Sequence, residues 1–187
     1  MKFKRIKNIF DLKDRVIVLT GSAGLLGTQY AHILSDAGAN LVLVDTNVKK
    51  NKELQKQIYK KFQTNPICLD VDITSKKEVK KMASTIIKKF GRIDGLINNA
   101  FLNHAKNQSK DGVNSFETFP IEMWNKALEL NLTGVFLCCQ EIGKIMVQQK
   151  TGVIVNVSSS SSKLSGTKVS RPIVTEVEPA GIVAVPL

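Results

Sequence analysis

The chain has 187 residues, of which 43% are apolar, and this is the size and composition of a single soluble domain. Its formal net charge of +11 would suit a nucleic-acid partner, because clustered lysine and arginine side chains attract phosphates. Many of the lysines, however, fall on the polar faces of two helical patterns, between apolar residues, which is typical of solvent-exposed helices. These lysines are Lys49, Lys50, Lys52, Lys56, Lys60, Lys61, Lys76, Lys77, Lys80, Lys81, Lys88 and Lys89. We therefore expect no nucleic-acid partner, and a basic nucleic-acid-binding module is the least favoured interpretation.

Membrane insertion, secretion and metal binding are also disfavoured. The uninterrupted apolar runs fall short of the roughly 20 residues that span a bilayer, and residues 1–15 mix basic with apolar side chains instead of forming a continuous apolar stretch. Cys68, Cys138 and Cys139 have neither metal-ligand nor disulfide spacing, and His32 and His104 lie far apart. We expect a cytoplasmic protein with reduced cysteines, no membrane partner and no metal.

Short β-branched runs alternate with longer helical patterns along most of the chain. The predicted strands are, in chain order, Val16 to Leu19, Leu41 to Val44, Ile67 to Val71, Gly95 to Ile97 and Val153 to Val157. The predicted helices run from about Leu25 to Ala37, Val48 to Phe62, Ser75 to Phe90 and Pro120 to Gln148, with capping-box spacing between Ser75 and Glu78. The strands are almost wholly apolar, as in a parallel sheet that is covered on both faces. The pattern predicts an α/β fold, a Rossmann-like doubly wound parallel sheet in three α/β/α layers, which forms one domain over residues 1–187.

A glycine-rich loop joins the first predicted strand to the first predicted helix. Its glycines are Gly21, Gly24 and Gly27, and Ser22 and Leu26 lie between them. The free N–H groups and the dipole at a helix N-terminus bind pyrophosphate, and glycine lets the phosphate approach the backbone closely. We therefore predict that these five residues bind the pyrophosphate of a dinucleotide, with a plain tight turn as the alternative.

An acidic residue, Asp45, ends the second predicted strand. A carboxylate at this place accepts hydrogen bonds from the ribose hydroxyls of adenosine, and its charge repels a 2′-phosphate. Thr46 and Asn47 follow it instead of arginine, although Lys49 and Lys50 are close in sequence. We predict NAD as the cofactor and regard NADP as less favoured; a solvated loop aspartate is the alternative.

Several further segments resemble motifs of the short-chain dehydrogenase/reductase family, in the family's order. Residues 90–100, FGRIDGLINNA, are similar to its fourth strand and Asn-Asn-Ala-Gly motif, and residues 152–159, GVIVNVSS, are similar to its fifth strand. The resemblance covers residues 10–159. It implies cofactor contacts from Asp72 and Ile73, which would meet the adenine, and from Asn99 and Ala100. It also implies that Ser159 is the catalytic serine and that Asn131 helps to hold a water of the proton relay.

The sequence departs from the family pattern in three places. The glycine spacing, Gly-x-x-Gly-x-x-Gly, is closer to that of the family's extended branch, and Phe101 replaces the last glycine of the Asn-Asn-Ala-Gly motif. The family's Tyr-x-x-x-Lys motif has no counterpart, since the tyrosines are Tyr30 and Tyr59 and the position where the motif's tyrosine is expected holds Pro172.

Residues 160–187 form an atypical tail that allows two interpretations. If a segment between the serine and the tyrosine is deleted, Lys163 is the catalytic lysine, and the tail then continues through a helix into a sixth strand, at spacings marked by Arg171, Glu176, Pro179, Gly181 and Ile182. Alternatively, an unrelated or frame-shifted tail follows Ser159. In both cases we expect a fold that is incomplete at its C-terminal end, lacks the last strand and helix of the usual core, and has an unpaired sheet edge.

The resemblance implies an NAD-dependent oxidoreductase that transfers hydride between nicotinamide and an alcohol or carbonyl substrate. Loss of the tyrosine removes a general acid/base that contributes typically about 10²–10⁴-fold, so we expect impaired activity, with a catalytically inactive NAD-binding remnant as the alternative. The likeness of residues 98–101 and the following polar loop to relatives that act on sugar nucleotides is a hint about the substrate. The broad apolar faces of the helix over residues 120–148 suit a homo-oligomer.

Overall fold

The computed structural model describes residues 10–102 and 118–158 and the backbone of residues 181–186. The strands are β1 (Val16–Thr20), β2 (Asn40–Val44), β3 (Ile67–Leu69), β4 (Gly95–Asn98), β5 (Val153–Ser158) and β6 (Gly181–Pro186). The helices are α1 (Leu25–Asp36), α2 (Val48–Phe62), α3 (Lys76–Phe90) and α4 (Ile121–Gln149). A π-helical segment, Glu129–Gly134, interrupts α4.

All six strands are parallel and lie in the order β3-β2-β1-β4-β5-β6. The chain passes from one half of the sheet to the other between β1 and β4, and in such sheets ligands bind at this switch point, beyond the carboxyl ends of the strands. The register brings those ends together, because Thr20 pairs with Val44 and Leu19 pairs with Ile97. The predicted doubly wound parallel sheet is confirmed.

Side chains of the central strands alternate between the two faces of the sheet. Val18 and Leu96 are fully buried in one cluster, with the inner faces of α3 and α4. Leu19 and Leu41 belong to a second cluster, with the inner faces of α1 and α2. The sheet therefore separates two apolar cores, which confirms the predicted α/β/α layers.

The start of α3 shows half of the predicted capping box. The Ser75 hydroxyl accepts a hydrogen bond from the N–H of Glu78 (3.4 Å). The Glu78 carboxylate does not return the bond to Ser75; it accepts one from the N–H of Asp72 (2.8 Å). This bond connects Asp72, in the segment between β3 and α3, to the first turn of α3.

A buried carboxylate, Asp94, joins the amino ends of β1 and β4. It accepts hydrogen bonds from the N–H of Val16 (2.9 Å), from Arg15 (3.0 Å) and from Arg92. Burial by itself would raise the pKa of Asp94, but the hydrogen bonds from Arg92, Val16 and Arg15 outweigh it and lower the pKa below its usual value. The charged form is therefore the one that holds the two strands together.

The sixth strand forms one edge of the described sheet. The backbone of β6 pairs with β5 from Val153 opposite Gly181 to Ser158 opposite Pro186. Because β6 supplies hydrogen-bonding groups along the whole of β5, the unpaired edge expected from the sequence lies at β6, which has β5 as its one neighbour in the described sheet. A strand at this position is what the deletion interpretation of the tail predicts. Residues 159–180, which include Ser159 and Lys163, lie outside the described residues.

Helix α4 is long and apolar enough to cross a membrane by length and composition, with a mean hydropathy of 1.3 over its most apolar window. Scattered polar residues hide this property from a search for uninterrupted apolar runs. The inner face of the helix, formed by Leu137, Cys138, Ile142 and Met146, is buried in the core. One face of α4 is therefore a core face, although only 28% of the most apolar window is buried, and the absence of a membrane partner stays a prediction.

The lysine-rich faces of α2 and α3 and the three cysteines agree with their sequence interpretation. Each of the twelve lysines named above is exposed. The cysteines are free thiols. Burial raises the pKa of Cys138 to about 12 and also raises the pKa of Cys68 and of Cys139. A raised pKa disfavours the thiolate, which is the reactive form of cysteine.

Candidate functional site

A cleft of about 560 Å³ opens at the carboxyl ends of β1, β2 and β4. Its walls come from the glycine-rich loop, the residues after β2, β3 and β4, and the π-helical segment of α4. Eight of the ten predicted cofactor residues line it: Gly21, Gly24, Leu26, Asp45, Asp72, Ile73, Asn99 and Ala100. Residues that are far apart in sequence thus meet where the fold predicts a ligand site.

The other two predicted cofactor residues, Ser22 and Gly27, do not line the cleft. The N–H of Ser22 donates to the carbonyl oxygen of Val44 (3.2 Å), and its hydroxyl donates to the side-chain oxygen of Asn51 (2.7 Å). A Cβ at position 27 would lie 2.8 Å from the Cα of Ser22 and closer still to the carbonyl oxygen of Gly21. Both residues shape the loop, and a direct cofactor contact by either stays a prediction.

The glycine-rich loop leads into the first turn of α1 beside the cleft. Gly21 has a φ of +64°, and a Cβ there would lie 2.7 Å from the Cα of Ala100, so the position requires glycine. Gly24 is the N-cap of α1, and Leu25 and Leu26 form the first turn beside the cleft. The N–H groups of a first helical turn have no intrahelical acceptor. Together with the helix dipole they form a site suited to an anion such as pyrophosphate.

Asp45 stands at the rim of the cleft and also fastens the loop. One carboxylate oxygen accepts a hydrogen bond from the N–H of Ala23 (2.9 Å), and the other accepts one from the N–H of Asn47 (2.8 Å). Each oxygen of an ionised carboxylate can accept a second hydrogen bond. The half-buried Asp45 can therefore hold the loop and bind ribose hydroxyls at the same time.

Thr20 joins the loop to the end of β4, and the sequence analysis missed it. Its hydroxyl oxygen accepts hydrogen bonds from the N–H groups of Asn99 (3.0 Å) and Ala100 (3.1 Å). The Asn99 side-chain amide in turn donates to the carbonyl oxygens of Thr20 and Gly21, both at 3.1 Å. A threonine that ends an otherwise apolar strand was the available signal. The clamp fixes the cleft wall beside the loop.

A further wall of the cleft depends on the close approach of α4. A Cβ at Gly134 would lie 2.8 Å from the side chain of Ile73, so glycine allows the π-helical segment to pack on that residue. Leu130, from the same segment, lines the cleft, and so does Ile73. Ile73 and Leu130 thus give the cleft an apolar surface, as suits an adenine ring.

Of the three predicted catalytic residues, the described part of the chain contains Asn131. It lies in the π-helical segment, and its side-chain oxygen accepts a hydrogen bond from the N–H of Leu102 (2.9 Å). This bond holds the chain after Phe101, whose side chain lines the cleft and is 67% exposed. A role for Asn131 in a proton relay stays a prediction, as do the roles of Ser159 and Lys163.

Tyrosine and metal-ligating side chains are not gathered at the cleft in the described ranges. Tyr30 and Tyr59 lie on α1 and α2, and neither lines it. Residues 10–102 and 118–158 contain no group of three or more His, Cys, Asp and Glu side chains that could hold a metal ion. The absence of a metal stays a prediction, because His104 lies outside the described residues.

The comparison with known families assigns the chain to one of them. The family model for short chain dehydrogenase matches residues 15–171. The chain belongs to the short-chain dehydrogenase family. The match runs beyond Ser159 into the segment that we described from sequence as an atypical tail.

Curated relatives and solved structures agree with this assignment. The chain is 35% identical over 166 residues to an NAD-dependent glycerol dehydrogenase of Listeria innocua, covering 88% of this chain and 60% of the relative. It is 27% identical over 163 residues to an NADP-dependent mannitol dehydrogenase of Alternaria alternata, covering 86% of this chain and 58% of the relative. The crystal structure of levodione reductase superimposes with a TM-score of 0.75 at 28% identity, covering 85% of this chain and 59% of that one. The chain thus spans about 60% of the length of these relatives.

Proposed function

We propose that the chain is the dinucleotide-binding part of an oxidoreductase that transfers hydride between a nicotinamide cofactor and an alcohol or carbonyl substrate. The observation that carries this proposal is the cleft at the switch point of the sheet. It combines free N–H groups at a helix N-terminus, a carboxylate at the end of β2 and an apolar wall. Pyrophosphate, ribose and adenine require these three surfaces, respectively. The relatives named above, which use NAD or NADP, support the same cofactor class.

We further propose that NAD is preferred over NADP. The Asp45 carboxylate lies at the end of β2, where the adenosine ribose would bind, and its charge would repel a 2′-phosphate. Thr46, which also lines the cleft, has no positive charge to offset this repulsion. The nearby positive charges of Lys49 and Lys50 lie on the exposed first turn of α2, and neither residue lines the cleft. The backbone N–H of Lys50 donates to the side chain of the cap residue Asn47.

A titration of the chain with NADH and with NADPH, followed by nicotinamide fluorescence, tests this preference. NADH should bind at least about tenfold more tightly, a factor that corresponds to about 1.4 kcal/mol. Asp45→Ala should weaken NADH binding and narrow the gap. The control is Asp36→Ala, which removes an equal charge from the exposed end of α1. Equal affinities of the unaltered chain for both cofactors would contradict the proposed preference.

The residues of this chain would bind and orient, whereas the nicotinamide, when bound, supplies the hydride chemistry. Ser159 would orient the substrate oxygen, and Asn131 would support a water at the site. Lys163 would contribute positive charge. None of these residues replaces the phenol that shares the proton with the substrate oxygen in the family, so we propose that turnover by this chain is absent or severely reduced.

A chimera tests the catalytic proposal. A serine-to-lysine segment from a family member, with its Tyr-x-x-x-Lys motif, is joined to this chain together with a complete C-terminal region. The matched control carries phenylalanine in place of the motif's tyrosine. NAD reduction should be restored by the first chimera and remain at least about 10²-fold lower in the control. Comparable rates from the chain as given and the first chimera would show that the missing tyrosine is not the limiting defect.

The substrate that we propose is a small polyhydroxylated alcohol or the corresponding carbonyl compound. Glycerol and mannitol dehydrogenases among the relatives support this class. The sugar-nucleotide hint from residues 98–101 has no such support. A panel of polyols and sugar nucleotides in the chimera assay distinguishes the two classes.

A further proposal concerns self-association through α4. Exposed apolar side chains at helical spacing form a stripe along this helix: Ile121, Trp124, Leu128, Leu132 and Phe136, each at least 40% exposed. The opposite face of α4 is already buried in the core. A large apolar stripe on a helix that packs with its other face is typical of an interface between subunits.

Sedimentation of the chain over a range of concentrations tests this interface. The chain should be dimeric or larger, and Leu132→Glu combined with Phe136→Glu should shift it to monomer because both charges would be buried on association. Ile33→Glu is the control, since Ile33 is 66% exposed on α1. A monomeric unaltered chain, or a shift produced equally by Ile33→Glu, would contradict the proposal.

A further inference from the structure

Helix α2 buries a polar side chain in the face that packs on the sheet. The buried residues of this helix are Asn51, Leu54 and Ile58, which lie on one face. Asn51 is 1% exposed. A buried amide is destabilising unless its donors and acceptor are paired. We therefore expect Asn51 to make hydrogen bonds that an apolar residue at this position could not make.

The amide of Asn51 links three parts of the chain. Its side-chain oxygen accepts a hydrogen bond from the hydroxyl of Ser22 (2.7 Å), and its side-chain nitrogen donates to the carbonyl oxygen of Leu43 (3.0 Å). Ser22 belongs to the glycine-rich loop and is fully buried. The amide thus connects α2, β2 and the loop in a paired, water-excluded network, in which hydrogen bonds are strong and directional.

Two more bonds from the same unit hold the loop. The carbonyl oxygen of Val44 accepts from the N–H of Ser22, and the Asp45 carboxylate accepts from the N–H of Ala23. The next residue, Gly24, lines the cleft and caps α1. The β2–α2 unit that carries the ribose-binding carboxylate therefore also sets the position of the loop.

We infer that Asn51 is a positioning residue for the dinucleotide: through Ser22 it fixes the glycine-rich loop relative to Asp45. The inference rests on the proposed function, because a dinucleotide would bind the loop with its pyrophosphate and Asp45 with its ribose. The ligand spans both places, and a change in their separation weakens it at one of them. Asn51 does this from outside the cleft, without touching the cofactor.

The test compares NADH affinity with stability in three variants and one control. Asn51→Ala and Ser22→Ala each remove one partner of the 2.7 Å bond, and the double variant removes both. Each single variant should bind NADH about tenfold more weakly, which is the effect of one buried hydrogen bond. The double variant should be no weaker than Asn51→Ala alone, because the two residues act through one contact. Urea unfolding of every variant reports stability.

The matched control is Leu54→Ala, which leaves a cavity on the same face of α2. Leu54 is 3% exposed, and it belongs to the apolar cluster between the sheet and helices α1 and α2. Leu54→Ala should lower stability at least as much as Asn51→Ala and leave the NADH affinity within about twofold of the unaltered chain. Ser22→Ala is the milder change and keeps the test available if Asn51→Ala does not fold.

If the unaltered chain binds NADH and the Asn51→Ala and Ser22→Ala variants bind it with the same affinity, this inference is overturned and the proposed function stands. An equal loss of affinity in Leu54→Ala would also overturn it, since the effect would then follow stability. If the unaltered chain does not bind NADH, the proposed function and this inference fall together.

Discussion

At Gly27 the loop and helix α1 leave no room for a side chain. A Cβ at this position would lie 2.8 Å from the Cα of Ser22 and closer still to the carbonyl oxygen of Gly21. Both neighbours are backbone atoms, so neither can move aside as the end of a side chain could. A side chain at Gly143 of α4, by contrast, would lie 3.8 Å from the end of Ile154, which is an ordinary contact. These two glycines thus differ in what a single methyl group does to the fold.

We expect Gly27→Ala to lower the free energy of unfolding by about 2 kcal/mol, because overpacking against backbone forces the loop to move. The same movement should abolish measurable NADH binding. Gly143→Ala should leave binding unchanged and stabilise the helix by up to about 1 kcal/mol, because alanine is the better helix former. Urea denaturation and NADH titration of the two variants provide the measurements. A Gly27→Ala protein that binds and unfolds like the unaltered chain would show that the loop is not tightly packed.

Single residues also show where sequence reasoning ends. The spacing of Gly21 and Gly24, and Asp45 at the end of a strand, sufficed to predict parts of the cleft, because their chemistry depends on local context. The sequence predicted Ser22 as a cofactor contact, but its hydroxyl turns inward to Asn51, which is 29 residues away. Thr20 was missed because its partners lie about 80 residues further along the chain. No local pattern reveals such bonds.

At the scale of elements, the side chain of Asp94 connects the amino ends of β1 and β4 by hydrogen bonds. Its side chain is 8% exposed, and its Arg15 and Arg92 partners are 52% and 44% exposed. The half-exposed arginines contribute little by charge alone, since water screens them. Burial disfavours the charged carboxylate, and the hydrogen bonds from Arg92, the N–H of Val16 and Arg15 outweigh it, so the junction depends on the ionised state of Asp94.

We expect Asp94→Asn to lower the free energy of unfolding by about 2 kcal/mol at neutral pH. Because the pKa of Asp94 is lowered in the folded state, its contribution is complete above the unfolded pKa and is lost as pH falls through the folded pKa. The difference between variant and unaltered chain should therefore shrink below about pH 4. Urea denaturation across this pH range measures the difference in stability. Asp36→Asn, at an exposed position at the end of α1, is the control. A pH-independent difference would contradict the assigned role.

The bounds of most elements could be predicted because apolar periodicity and capping residues are local signals. Helix α2 runs from Val48 to Phe62, as predicted, and α3 begins after its cap Ser75. The π-helical segment of α4 could not be predicted, because one extra residue in a turn shifts the phase of the helix without changing its composition. That segment brings Leu130 into the cleft, so its contribution to the wall was missed, although Ile73 of the same wall was predicted.

At the scale of the whole molecule, β6 determines which strand forms the edge of the sheet. Its backbone pairs with β5 along all six residues of that strand. Deletion of residues 181–187 should expose the N–H and C=O groups of β5 and cause association that increases with concentration. Deletion of residues 1–7 is the control of equal length. Light scattering of both shortened chains measures the effect, and equal behaviour of the two would contradict a protective role for β6.

Hydrogen exchange with and without NADH tests most directly whether the cleft is the dinucleotide site. Binding should slow exchange in the glycine-rich loop, in the segments after β2 and β3, and at Asn99 and Ala100, because these groups become buried under the ligand. The lysine faces of α2 and α3 should exchange as before. Protection confined to the cleft is the result that our account predicts. Protection centred on the lysine faces, or no protection at NADH concentrations that saturate binding, would contradict it.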